Sequence, residues 1–256
     1  MTNLRAISFA ALLLAAASAP AALAQEPMAT GSIKPPAAVA VEPQLADAAT
    51  KPAVAAVSME SPLAVALKGQ LAQAAATADE ATEADRAALT AFYEARNAAP
   101  LWVDAAGLNA KGRALANAIT DAAAYGLDTK LIGLPALDGI ATTPEALAAT
   151  EHKLSLAALT YARHARGGRI PDPAGMLNSN LDRKPQLHEP RDVLDKLAAA
   201  EDVASALAAL HPVHPQFERL RQAFLKASAA GKGGGKLSAE AKRLRATMEF
   251  WRWMWD

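Results

Sequence analysis

The sequence predicts an almost all-α domain, on three observations. Apolar residues recur at helical spacing in successive windows, helix start and stop residues bracket those windows, and few windows combine β-branched residues with period-2 alternation. Of the 256 residues, 52% are nominally hydrophobic and 68 are alanine, so setting alanine aside leaves roughly 65 that bury well, enough for one domain of ordinary size.

Met1 to Ala24 reads as a secretory signal peptide. Arg5 is its positive start, Ala6 to Ala19 an uncharged apolar run and Ala22-Leu23-Ala24 an A-x-A cleavage site, so a mature chain is expected to begin at Gln25 in a periplasm-like space. The run is short and alanine-rich for a membrane span, and no other segment approaches one. No integral membrane segment is expected after cleavage. Residues 25–61 carry Pro27, Pro35, Pro36, Pro43 and Pro52 with no aromatic, the composition of an extended linker.

Helices follow over 62–230. Pro62 precedes Leu63, Leu67 and Leu71. Thr77 and Glu80 have capping-box spacing before Leu89, Phe92, Tyr93 and Arg96. Asn109 is a good N-cap for a helix with Leu115 and Ile119, stopped by Gly126. Thr143-Pro144 opens a helix carrying Leu147, Leu154, Ala158 and Tyr161, with Arg163, His164 and Arg166 in its last turn before Gly167-Gly168. Shorter helices are expected near 190–199 and 202–209, then one from Pro215 through Leu220, Phe224 and Leu225. Gly231 to Lys236 reads as a flexible hinge, because its spacing fails the phosphate-loop pattern and Leu237 stands where that pattern needs Ser or Thr. In 237–256, Ser238 caps a last helix with Leu244, Met248 and Trp251.

Most chemistry is excluded by composition. No cysteine means no disulfide, thiolate zinc site, iron–sulfur cluster or thiol nucleophile in this sequence. Lys plus Arg (26) equal Asp plus Glu (26), which gives no reason to expect nucleic acid. His152, His164, His188, His211 and His214 form no metal motif. The closest pair, His211 and His214 between Pro212 and Pro215, reads as a turn whose histidines cap or pack, so neither metal nor other cofactor is expected. G-x-S-x-G is absent. Glu94 and Asp104, beside Tyr93 and Trp102, could serve as paired carboxylates in glycan hydrolysis, but every Asp and Glu also reads as solvated surface or a cap.

Trp251, Trp253 and Trp255 are three of the four tryptophans. Trp251 continues the helical stripe, whereas 251, 253 and 255 alternate like a strand, so the helix is expected to end near 250 and an extended segment to begin. The indoles are either a stacking surface for sugar rings or a partner, or packing for this domain or a further one.

Taken in order, five segments resemble the N-terminal scaffold domain of large periplasmic L,D-transpeptidases of the YcbB type, which cross-link peptidoglycan. They are Leu89 to Arg96 with Ala99 to Trp102; Ala122 to Asp128; Glu151 to Leu159 with Tyr161 to His164 and Gly168 to Pro171; Leu210 to Arg221; and Met248 to Met254. The last is similar to an N-M-E-R-W-R-W segment leading into the catalytic domain, with Thr247 in place of Asn and Phe250 of the first Arg; Trp255 replaces a following Pro. That domain's cysteine motif has no counterpart here, so no catalytic residue is carried over.

The resemblance implies a non-catalytic scaffold module that binds peptidoglycan or a cell-wall enzyme, with Arg169, Trp251, Trp253 and Trp255 as candidate contacts. The alternatives are a transpeptidase gene fragment without independent function and a carboxylate-dependent peptidoglycan hydrolase.

Overall fold

The computed structural model describes residues 60–74, 80–170, 172–176, 184–230 and 237–254, all within the unit Ala56–Asp256. The predicted signal peptide, the linker as far as 59, Thr77 of the predicted capping box, the glycine hinge 231–236 and Trp255 lie outside the described residues.

The fold is mostly helical, as its sequence periodicity predicts. The helices are α1 (Pro62–Ala74), α2 (Glu80–Ala95), α3 (Ala110–Thr120), α4 (Pro144–Ala165), α5 (Pro173–Met176), α6 (Pro190–Ala199), α7 (Val203–Ala208), α8 (Pro215–Ala229) and α9 (Ala239–Trp251). Local chemistry sets their starts. Pro62, Pro144, Pro190 and Pro215 each occupy a first position, where a missing N–H costs nothing. Asn109 Oδ1 accepts from the Gly112 N–H at 2.9 Å, Thr143 Oγ1 from Ala146 at 3.3 Å and Ser238 Oγ from Ala241 at 3.1 Å, so each satisfies a donor that the first turn leaves open. The helical run from Asn109 does reach Gly126, but its last stretch, Asp121–Tyr125, is a 3-10 turn, and Gly126 closes it at φ 75°.

Helix α4, with 22 residues, is about 33 Å long and forms the centre. It packs on α1, α2, α3 and α6. Its buried alanines, Ala148, Ala157, Ala158, Ala162 and Ala165, carry nothing beyond Cβ. They let neighbouring backbones come close. Leu67, Leu71, Leu89, Phe92, Leu115, Ile119, Leu154, Val193, Leu194 and Leu207 fill the space between the helices. A second, smaller cluster holds Phe217, Phe224, Ala227, Ala241 and Met248 where α8 packs on α9. Tyr125 packs against both clusters.

The almost all-α expectation holds, with one small addition: a two-strand antiparallel hairpin joins β1 (Val103–Asp104) to β2 (Gly107–Leu108), too short for any alternation of polarity to reveal it. One expectation is corrected: the segment after 250 is not extended. α9 runs to Trp251, and the N–H groups of Trp253 and Met254 donate to Phe250 and Trp251 carbonyls at 3.0 and 3.3 Å. A tight turn thus takes the place of the expected strand.

Gly112 sits where α3 passes under the hairpin. A Cβ built there would stand 2.2 Å from the Trp102 carbonyl oxygen, which already accepts the Asn109 N–H at 3.0 Å. An exposed glycine-to-alanine change in a helix gains about 1 kcal/mol. Here the clash wins, and Gly112→Ala is expected to cost about 2–3 kcal/mol. A thermal melt settles the sign, since an unchanged or raised midpoint would contradict the close approach.

Candidate functional site

Of the two carboxylates considered for hydrolysis, Glu94 is exposed on the rim of a cleft of about 430 Å³ lined also by Lys68, Leu71, Ala72, Thr90, Tyr93 and Ala98. Asp104 is exposed in the hairpin, where its Oδ1 accepts the Ala106 N–H at 2.8 Å.

The expectation that every acidic residue is surface or cap is overturned by Glu151, which has no exposure, and by Asp85, at 3%. Asp85 Oδ2 accepts two guanidinium N–H bonds from Arg163, at 2.8 and 2.7 Å, tying α2 to the end of α4. Glu151 Oε1 accepts from the Tyr93 hydroxyl and the Leu101 N–H, both at 2.5 Å, and Oε2 from the Trp102 and Val103 N–H groups at 2.8 and 3.0 Å. Ser155, one turn on, receives the Trp102 indole N–H and shares a hydrogen bond with the Tyr93 hydroxyl, each at 2.8 Å. One helical turn of α4 therefore fixes both the end of α2 and the strand entering the hairpin. Burial pushes the Glu151 carboxyl up from its usual value, against the opposing pull of the Tyr93 hydroxyl and the three N–H groups. Burial, then the neighbouring carboxylate, pushes the Tyr93 hydroxyl up, so it stays a donor.

His214 caps α8, its Nδ1 accepting the Gln216 N–H at 3.1 Å, and its ring stacks on Trp251 at 4.6 Å. His211 is packed between Tyr125 and Phe217, at 4.2 and 6.0 Å, with Nε2 2.9 Å from the Tyr161 hydroxyl. Burial, then Arg252, Arg221 and Arg166, hold it well below the usual histidine value. His164 is lowered to about 4 by burial and then by Arg163, Arg169 and Arg252. His188 Nε2 lies 3.1 Å from the Leu210 carbonyl. Among the described residues no three His, Asp or Glu stand as a metal-binding group.

Three of the four candidate contacts, Arg169, Trp251 and Trp253, converge on one corner. Its centre is Arg252, 1% exposed, which sequence reasoning did not single out. Arg252 donates to the Tyr125 carbonyl at 2.6 Å and to Glu249 Oε2 at 3.1 Å, and its guanidinium lies 5.4 Å from the Phe217 ring centre. Arg169 Nε is 3.8 Å from the same Glu249 oxygen, a longer ion pair. Trp253 is 3% exposed and faces Gly167 so closely that a Cβ there would be 2.8 Å from the indole nitrogen. Gly167, at φ 85°, both turns the chain after α4 and leaves room for that indole. Trp251 is half-buried and Phe250 exposed. The structure thus brings Arg169, Trp251 and Trp253 together, with Trp253 inside and Trp251 and Arg169 partly at the surface. Beside them an open cleft of about 530 Å³ is lined by Arg169, Leu237, Lys242, Arg245, Ala246 and Glu249. No described helix is long and apolar enough to cross a membrane.

A family model described as a scaffold domain matches residues 87–224, just over half of the 256. That stretch runs from within α2 into α8. No curated protein and no solved structure matches the chain.

Proposed function

The chain belongs to the scaffold domain family, and from that premise we propose that it is a non-catalytic periplasmic module that supports peptidoglycan cross-linking by holding the cell wall or a cell-wall enzyme. One observation carries this reading. The five segments that resemble the N-terminal part of L,D-transpeptidases are the segments that meet in the two buried joints. Tyr93, Leu101, Trp102, Glu151 and Ser155 form the first. Tyr125, Tyr161, His211, Phe217 and Arg252 form the second. Residues recruited to hold a frame together are the ones such a resemblance should retain if the shared property is the frame itself. The absence of cysteine from these 256 residues fits a supporting role, because the transpeptidase reaction uses a thiolate on an amide carbonyl. The signal-like start supports export. Arg169, Trp251 and Trp255 are the proposed contacts, and Trp253 holds the corner that presents Arg169 and Trp251.

The test is co-sedimentation of the full chain with insoluble peptidoglycan. Retention above that of an unrelated neutral helical protein is expected, with a loss of several-fold in the combined Arg169→Ala and Trp251→Ala variant. Retention equal to the control overturns the binding role.

A further inference from the structure

The open cleft beside α9 has a charge that the chain as a whole does not. The full sequence is neutral. The cleft is lined by three cations, Arg169, Lys242 and Arg245, and one carboxylate, Glu249. That carboxylate is already engaged, with Oε2 held by the buried Arg252 at 3.1 Å and approached by Arg169 at 3.8 Å. Among the described residues, neither Lys242 nor Arg245 has a carboxylate within ion-pair distance. Like charges left side by side in a concave site repel one another, and an anion entering the site relieves that. Leu237 and Ala246 add a small apolar wall next to the cations. A cavity of about 530 Å³ lies within the usual range for small ligands.

We infer that this cleft binds the carboxylate end of a short peptide, with Lys242 and Arg245 taking the carboxylate, Arg169 steering it, and Leu237 and Ala246 covering a small apolar side chain. The two features act on different parts of the ligand. Cations alone would take any anion. The apolar wall beside them favours a ligand whose charge adjoins a methyl-sized group, and inorganic phosphate gains nothing from that wall.

Isothermal titration of the full chain tests this with three probes: N-acetyl-alanyl-alanine, its C-terminal amide and inorganic phosphate. The free acid is expected to bind at least tenfold more tightly than the amide and than phosphate, with affinity falling as salt is raised. The double variant Lys242→Gln and Arg245→Gln should lose at least tenfold for the acid while keeping the wild-type circular dichroism. Equal binding of acid and amide overturns the inference. So does phosphate matching the peptide, or a folded double variant binding like wild type, or no measurable heat with the acid. The inference stands apart from the sedimentation test. A chain that sediments with peptidoglycan but ignores the peptide loses this site and keeps the proposed function, and the converse result does the reverse.

Discussion

Glu151→Gln is expected to destabilise the protein by about 3 kcal/mol, out of the 5–15 kcal/mol typical of a folded domain. Four donors point at one carboxylate: Tyr93 Oη and the N–H groups of Leu101, Trp102 and Val103. Glutamine matches the shape but replaces one acceptor oxygen with an amine. Turned one way, its nitrogen meets the Trp102 and Val103 N–H groups; turned the other, it meets the Leu101 N–H, while the Tyr93 hydroxyl turns its proton to Ser155. Glu151→Leu should cost more, about 4–5 kcal/mol, because the three N–H groups are then stranded in the core and the Tyr93 hydroxyl keeps only Ser155. Tyr93→Phe removes a donor and leaves the carboxylate three others, so about 1 kcal/mol is expected. The ordering Leu, Gln, Phe, from most to least damaging, should appear in urea midpoints followed by far-ultraviolet circular dichroism. A Glu151→Gln midpoint matching wild type would show that the carboxylate is not what joins the hairpin to α4.

That joint also marks the boundary of what local sequence could reveal. Asn109, Thr143 and Ser238, and the prolines at 62, 144, 190 and 215, act within one turn of chain, and the helices start where these residues predict. Glu151 and Ser155 act on partners about 50 residues away. On a helix read alone, two polar residues four apart look like an outward stripe, and nothing nearby signals that Leu101 to Val103 bring three bare N–H groups to meet them. The tryptophan segment failed for a related reason. Alternation at 251, 253 and 255 suggests a strand, but Trp253 is turned inward because Gly167, far away in sequence, leaves a space for its indole. Arg252 went unnoticed between two tryptophans because an arginine's default place is the surface, and only the meeting of Tyr125, Phe217 and Glu249 makes a buried one tolerable.

Acid should weaken the fold well above the pH at which exposed carboxylates titrate. His152, His164 and His211 are all depressed below the ordinary histidine value, each first by burial. The charges facing them are mostly positive. Arg86 and Lys153 face His152; Arg163, Arg169 and Arg252 face His164, with Asp128 opposing; Arg252, Arg221 and Arg166 face His211. Above the unfolded pKa of about 6.5 each is neutral in both states and stability is unaffected. Below it the unfolded chain takes up protons that the folded chain refuses, so stability falls with pH until the folded pKa is reached. For His164, lowered to about 4, that window runs from about 6.5 down to about 4 and the loss approaches roughly 3 kcal/mol. His152 and His211 add losses of the same sign. Glu151 works the other way, since a raised folded pKa means the folded state accepts a proton more readily and gains on acidification. Three histidines against one carboxylate leave a net loss, and the melting temperature is expected to fall by about 10 °C between pH 7 and pH 4.5. The sharper measurement is the difference between those two pH values in the His164→Gln and His211→Gln double variant. Its absolute stability will shift through changed packing, but its pH dependence should flatten by about half or more, and a drop as steep as wild type would place the acid sensitivity elsewhere.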